Sequence, residues 1–127
     1  MAETINERLK WVEHQGVRIL RIELHNLEAH EYARELRRVG DDIVAVAQDE
    51  KGPVLMLVDI KNTQTSTDVL AAYKEVRIKL EPYVKSLALT GIKGFRLHFV
   101  NFIRAGSQID VKAIETEELA IKWLLSR

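Results

Sequence analysis

The chain of 127 residues has no cysteine. That excludes disulfides, thiolate zinc sites and a cysteine nucleophile, and it fits a reducing cytosol. It also lacks an excess of either charge. Nineteen basic side chains balance nineteen acidic ones, so nothing argues for nucleic acid or an anionic membrane surface as a partner. No apolar run approaches the roughly 20 residues needed to span a bilayer. The start, Met1 to Arg8, has two acids and no apolar block, unlike a secretory signal. The expectation is a cytoplasmic protein with no transmembrane segment: a flexible tail over 1–7 and one domain over 8–127, a size that sustains its own core.

What is present is organised around Pro53 to Asp68. Val54-Leu55-Met56-Leu57-Val58 is apolar at consecutive positions, the pattern of a strand buried on both faces inside a helix-covered sheet. After Asp59 the run gives way to the hydroxyl-rich Lys61-Asn62-Thr63-Gln64-Thr65-Ser66-Thr67-Asp68. In open α/β sheets, ligands and partners meet the protein beyond the carboxyl ends of the strands, so this loop is the expected seat of function.

Around it the elements alternate. Leu9–His14 and Val17–Leu24 are strands joined at Gln15-Gly16, with the first as an edge strand antiparallel to the second. Tyr32, Leu36, Val39, Ile43 and Val46 form one helical stripe that stays in phase across Gly40. Asn26 is the candidate cap of that helix, and Gly52-Pro53 is its terminator. Val69, Ala72, Tyr73, Val76 and Leu80 mark a second helix, with Thr65 or Ser66 as cap, ended at Glu81-Pro82. Ser86–Thr90 is a short strand, Phe95–Ala105 a third helix and Ile109–Ile114 a strand. The last helix is capped by Thr116, with Leu119, Ala120, Trp123 and Leu124 inward. The order β-β-α-β-α-β-α-β-α implies an α/β fold with a mostly parallel five-stranded sheet and an antiparallel N-terminal edge strand.

Several groups are candidates for chemistry. Thr65, Ser66 and Thr67 are a possible phosphoacceptor cluster at a helix start, where free backbone N–H groups and the helix dipole stabilise phosphate; the plainer role is helix capping. Gly91-Ile92-Lys93-Gly94 places Lys93 and Gly94 in a turn before a helix that can hold an anion on backbone amides, although it lacks the full phosphate-loop pattern and reads first as a simple strand-to-helix turn. His25 and Asp59, with Lys61 nearby, belong at neighbouring strand ends, where an imidazole beside a carboxylate can serve acid–base work. The other histidines have no metal-ligand spacing, and no HExxH occurs. Phe95, Phe99 and Phe102 recur at steps of four and three, a stripe suited to packing, to pairing of subunits, or to an apolar ligand.

The order of elements and several local runs resemble the STAS domain in its SpoIIAA-like branch, also described as STAS/SEC14-like. The resemblance covers nearly the whole chain beyond the tail. It is strongest at Pro82–Gly91, at Gly94–Phe102 and at the closing Ile114-Glu115-Thr116-Glu117-Glu118-Leu119-Ala120-Ile121-Lys122-Trp123-Leu124. In anti-sigma-factor antagonists of that superfamily, the loop after the central strand carries a serine within aspartate-serine-serine-glycine, and its phosphorylation switches partner binding. The matching stretch here is Thr65-Ser66-Thr67-Asp68, with Ser66 at the serine position and neither the preceding aspartate nor the following glycine. The resemblance implies a non-enzymatic regulatory module that binds a protein partner or a second copy of itself, without cofactor or metal. Its SEC14 side implies instead a carrier of a small apolar or lipid-like ligand. A hydrolase built on His25 and Asp59 is the third reading.

Overall fold

The apolar run becomes strand β4 (Val54–Asp59), an interior strand of a sheet whose six members lie in chain order: β1 (Ala2–Thr4), β2 (Leu9–His14), β3 (Val17–Glu23), β4, β5 (Val84–Thr90) and β6 (Asp110–Ile114). The computed structural model describes residues 2–91, 101 and 104–127. The β1–β2 and β2–β3 pairs are antiparallel, and β3 to β6 run parallel, as expected for an α/β chain with an antiparallel start.

The sheet extends one strand further than five, into the segment read as a tail. The N–H groups of Ile5 and Asn6 both donate to the Leu9 carbonyl (2.9 and 3.1 Å). The Asn6 side-chain oxygen accepts from the N–H groups of Arg8 and Leu9 (2.9 and 3.0 Å). This turn brings Ala2–Thr4 back along β2, so β2 is interior and β1 is the edge. A three-residue polar strand has no periodicity to betray it; pairing alone makes it a strand.

Helices α1 (Ala29–Ala47) and α2 (Thr67–Leu80) cover one face of the sheet, and α3 (Glu117–Leu125) the other. The stripe of α1 is buried as its spacing requires, from Tyr32 through Leu36 and Val39 to Ile43, and the helix runs unbroken through Gly40. Gly40 sits against α2: a Cβ there would lie 2.9 and 3.0 Å from the two methyls of Val76. All five apolar residues of the α2 stripe are buried. Nearer the helix starts, Tyr32 and Tyr73 stand edge to face with centroids 5.7 Å apart and their hydroxyls hydrogen-bonded. Burial pushes the Tyr73 hydroxyl above its ordinary pKa despite that bond.

Two local expectations are corrected. Asn26 does not cap α1: the N-cap is Glu28, with no side-chain cap bond, and Asn26 occupies a left-handed turn (φ 60°), a conformation asparagine tolerates well. Leu119 is not inward. It is 50% exposed, because α3 seats itself on the sheet through Ala120 and Leu124, and a step of one residue turns the side chain about 100° away. The segment expected as a helix from Phe95 to Ala105 lies outside the described residues, except at 101, 104 and 105.

Candidate functional site

Glu23, Asp59 and Thr90 are in register across β3, β4 and β5, so the chain leaves three adjacent strands at one level. Two connections then run side by side, from β3 into α1 and from β4 into α2, and backbone hydrogen bonds join them. Leu24 N–H donates to the Asp59 carbonyl (2.8 Å), Asn26 N–H to the Lys61 carbonyl (2.8 Å), and Gln64 N–H to the Leu27 carbonyl (3.0 Å). Side chains add to the seam: the Asn62 amide donates to the Asn26 side-chain oxygen (3.1 Å). Both asparagines hold left-handed backbone, with φ of 60° and 57°.

The loop after β4 is anchored from within. Ile60 and Thr63 are about 1% exposed, and the Thr63 hydroxyl donates to the Ile60 carbonyl (2.7 Å). Asp59 accepts from the Lys61 N–H (3.0 Å), closing a tight turn of the kind aspartate favours. Gly91 (φ +87°) lies under it, where a Cβ would come 2.8 Å from the Lys61 backbone. Between these anchors Lys61, Asn62, Gln64 and Thr65 are exposed, and Thr67 and Asp68 continue the exposed run into α2.

The same loop serves the N-termini of both helices. Ser66 is the N-cap of α2, its hydroxyl accepting from the Val69 N–H (3.1 Å). Of the two candidate caps, Thr65 is therefore left exposed. Gln64 reaches the start of α1, accepting from the Ala29 N–H (3.4 Å). Asp68, in the first turn of α2, pairs with Arg37 of α1 (3.3 Å), which also binds Glu75 (2.9 Å). The result is a polar platform held to both helices and to two strands.

The structure brings His25 and Asp59 together as expected from their places at strand ends: His25 Nδ1 is 3.5 Å from Asp59 Oδ2. Among the described residues, His25 Nδ1 has no hydrogen-bond partner. The pair borders none of three hollows: an apolar cavity, a cleft beside α3, and a smaller recess near β1. The apolar cavity, between the sheet and α1 and α2, measures about 30 Å³, room for roughly one water. Lys93, Gly94, Phe95, Phe99 and Phe102 lie outside the described residues.

Glu28, His30 and Glu31 place one ligand atom each within 4.8 Å of one another at the start of α1. They are surface groups at a helix start, where acids are favoured without a metal. No helix among the described residues is long and apolar enough to cross a membrane. Asn26, Asn62 and Gln64 carry much of the seam; Asn62 and Gln64 lie in the loop expected to carry function, but none of the three was singled out as a site residue. The two asparagines had a signal, their tolerance of left-handed backbone; Gln64 had none.

No family model and no curated protein matches the chain. Among solved structures, it is similar to an uncharacterised protein of the DUF3478 family from Shewanella loihica PV-4, described as having a SpoIIAA-like fold. The TM-score is 0.68 at 15% identity, over 95% of this chain and 98% of the other. The chain has a SpoIIAA-like fold.

Proposed function

We propose that the chain is a non-enzymatic regulatory module that binds a protein partner through the loop from Asp59 to Ser66. The observation that supports this reading is the loop's combination of fixed backbone and open side chains. Ile60 and Thr63 are buried while Lys61, Asn62, Gln64 and Thr65 are exposed. A surface so organised loses little conformational entropy on binding. Ser66 is the switch position of this proposal. A phosphate there would sit at the α2 N-terminus, where backbone N–H groups accommodate it.

The test is site-directed photo-crosslinking in cells, with the crosslinking residue at Thr65 or, as control, at Ile78 on the outer side of α2, which is 56% exposed. A specific protein adduct at Thr65 and none at Ile78 is expected. No specific adduct at Thr65, or the same adducts at both positions, removes the reading.

The 3.5 Å approach of His25 to Asp59 favours a second reading, acid–base catalysis. It predicts hydrolysis of an activated ester that is lost in both His25→Ala and Asp59→Asn. Equal rates in the wild type and both variants end it.

A further inference from the structure

The two faces of the sheet are covered unequally. Helices α1 and α2 lie across one. On the other, α3 is nine residues long and packs on β4, β5 and β6, with Ile19 of β3 at its margin. Beyond that margin the sheet is open among the described residues. Lys10, Val12 and His14 of β2 and Arg21 of β3 form one wall of a cleft of about 690 Å³, and the α3 flank of Glu118, Ile121, Lys122 and Leu125 forms the other. Strands lie roughly 4.8 Å apart, so β1 to β3 span about 10 Å, the width of one helix.

Charges in the cleft divide into spent and unspent. Arg21 bonds both Glu117 and Glu23. Lys10, His14, Lys122 and Glu118 have no ion-pair partner among the described residues. The Glu117 carboxyl is held below its usual range first by Arg21, with Lys10 and His14 adding to the effect, and both of these side chains line the same cleft. Apolar groups divide in the same way. Leu119, on the outer side of α3, is 50% exposed, and Val17 is 37% exposed. Val17 pairs with His14 in the β2–β3 register and alternates onto the open face. The outer side of α3 thus offers Leu119 beside Glu118 and Lys122. The open half-sheet offers Val12 and Val17 beside Lys10 and His14.

We propose that a second copy of this chain covers the open half of the sheet, in a two-fold dimer whose α3 helices lie antiparallel in one layer between two sheets. Each α3 covers its own β4 to β6 and the partner's β2 and β3. Two surfaces of one chain that match in this way can close under a two-fold axis, each contact occurring twice. No residue of the loop from Asp59 to Ser66 lines the cleft, so the dimer leaves that platform free.

Sedimentation velocity of the purified full chain, from micromolar to sub-millimolar concentration, tests this. The wild type is expected to be a reversible dimer. Lys10→Glu and Glu118→Lys, each set against a like charge across the interface, should weaken it roughly tenfold or more. The double variant Lys10→Glu/Glu118→Lys should recover most of the loss, since reversed charges meet again. Near-ultraviolet circular dichroism checks that each of the three variants keeps its fold. A monomeric wild type, a dimer indifferent to both substitutions, or a double variant no better than the singles overturns the proposal.

Discussion

Replacing Gly40 with alanine sets two effects of opposite sign against each other. Glycine in a helix interior is about 1 kcal/mol worse than alanine, so in isolation the change strengthens α1. Against that, the new Cβ would stand 2.9 and 3.0 Å from the methyls of Val76 and 3.5 Å from its Cβ. Valine in a helix is nearly fixed in one rotamer, so neither methyl can swing aside, and both residues are buried. Relief requires α1 and α2 to move apart, and overpacking of this kind costs roughly 1–3 kcal/mol. The net expectation is a loss of about 1 kcal/mol. Urea denaturation measures it as a lower midpoint with an unchanged slope. The double variant Gly40→Ala/Val76→Ala removes the clash, and it should be more stable than the sum of the two single effects by about 1–2 kcal/mol. A Gly40→Ala protein more stable than the wild type, or strict additivity in the double variant, refutes the claim that this glycine exists for close helix approach.

At Ser66, alanine removes the N-cap of α2 and should lower stability by about 1 kcal/mol, whereas aspartate caps as well as serine and should change it by less than about 0.5 kcal/mol; thermal denaturation distinguishes the two. Gly91→Ala should be worse than Gly40→Ala, by about 2 kcal/mol or more in a denaturation midpoint. The added carbon would meet the Lys61 backbone at 2.8 Å with φ at +87°, and backbone yields less than a side chain. Glu35 is held at about 2 by Arg38 and then Arg8, against an ordinary 4.5. Because the folded value is the lower one, its stabilisation is complete above about 4.5 and disappears as pH falls towards 2. Glu35→Gln should therefore flatten the fall in stability between pH 4.5 and 2 while lowering stability at neutral pH; an unchanged slope would count against the pairing.

The central strand and the two long helices were legible because their signals are strong and local. Five consecutive apolar residues at Val54–Val58 have one physical solution, burial on both faces. The α1 stripe from Tyr32 to Ile43 keeps phase across Gly40, which is why one unbroken helix was the expected form. The alternation of Val17, Ile19 and Arg21 against Arg18, Leu20 and Ile22 assigned β3 its two faces, and the structure buries Leu20 and Ile22 towards α1 and α2 and Ile19 towards α3. Weaker signals failed where tertiary pairing decides. The strand Ala2–Thr4 exists only because the Asn6 turn returns it to β2. Leu119 looked inward because leucine usually is. At the loop, the approach of His25 to Asp59 followed from their places at neighbouring strand ends. The choice of Ser66 over Thr65 as cap depended on where α2 begins, which differs by one residue and cannot be read from two adjacent hydroxyls.

The measurement that bears most directly on the central claim is the affinity of the partner identified through Thr65, by calorimetric titration against wild type and Lys61→Glu. Lys61 is exposed at the crest of the loop, so reversing its charge should leave the melting temperature nearly unchanged. Loop recognition predicts a loss of affinity of roughly tenfold or more. Undiminished affinity in Lys61→Glu and Ser66→Asp alike would contradict the assignment of this loop as the binding surface.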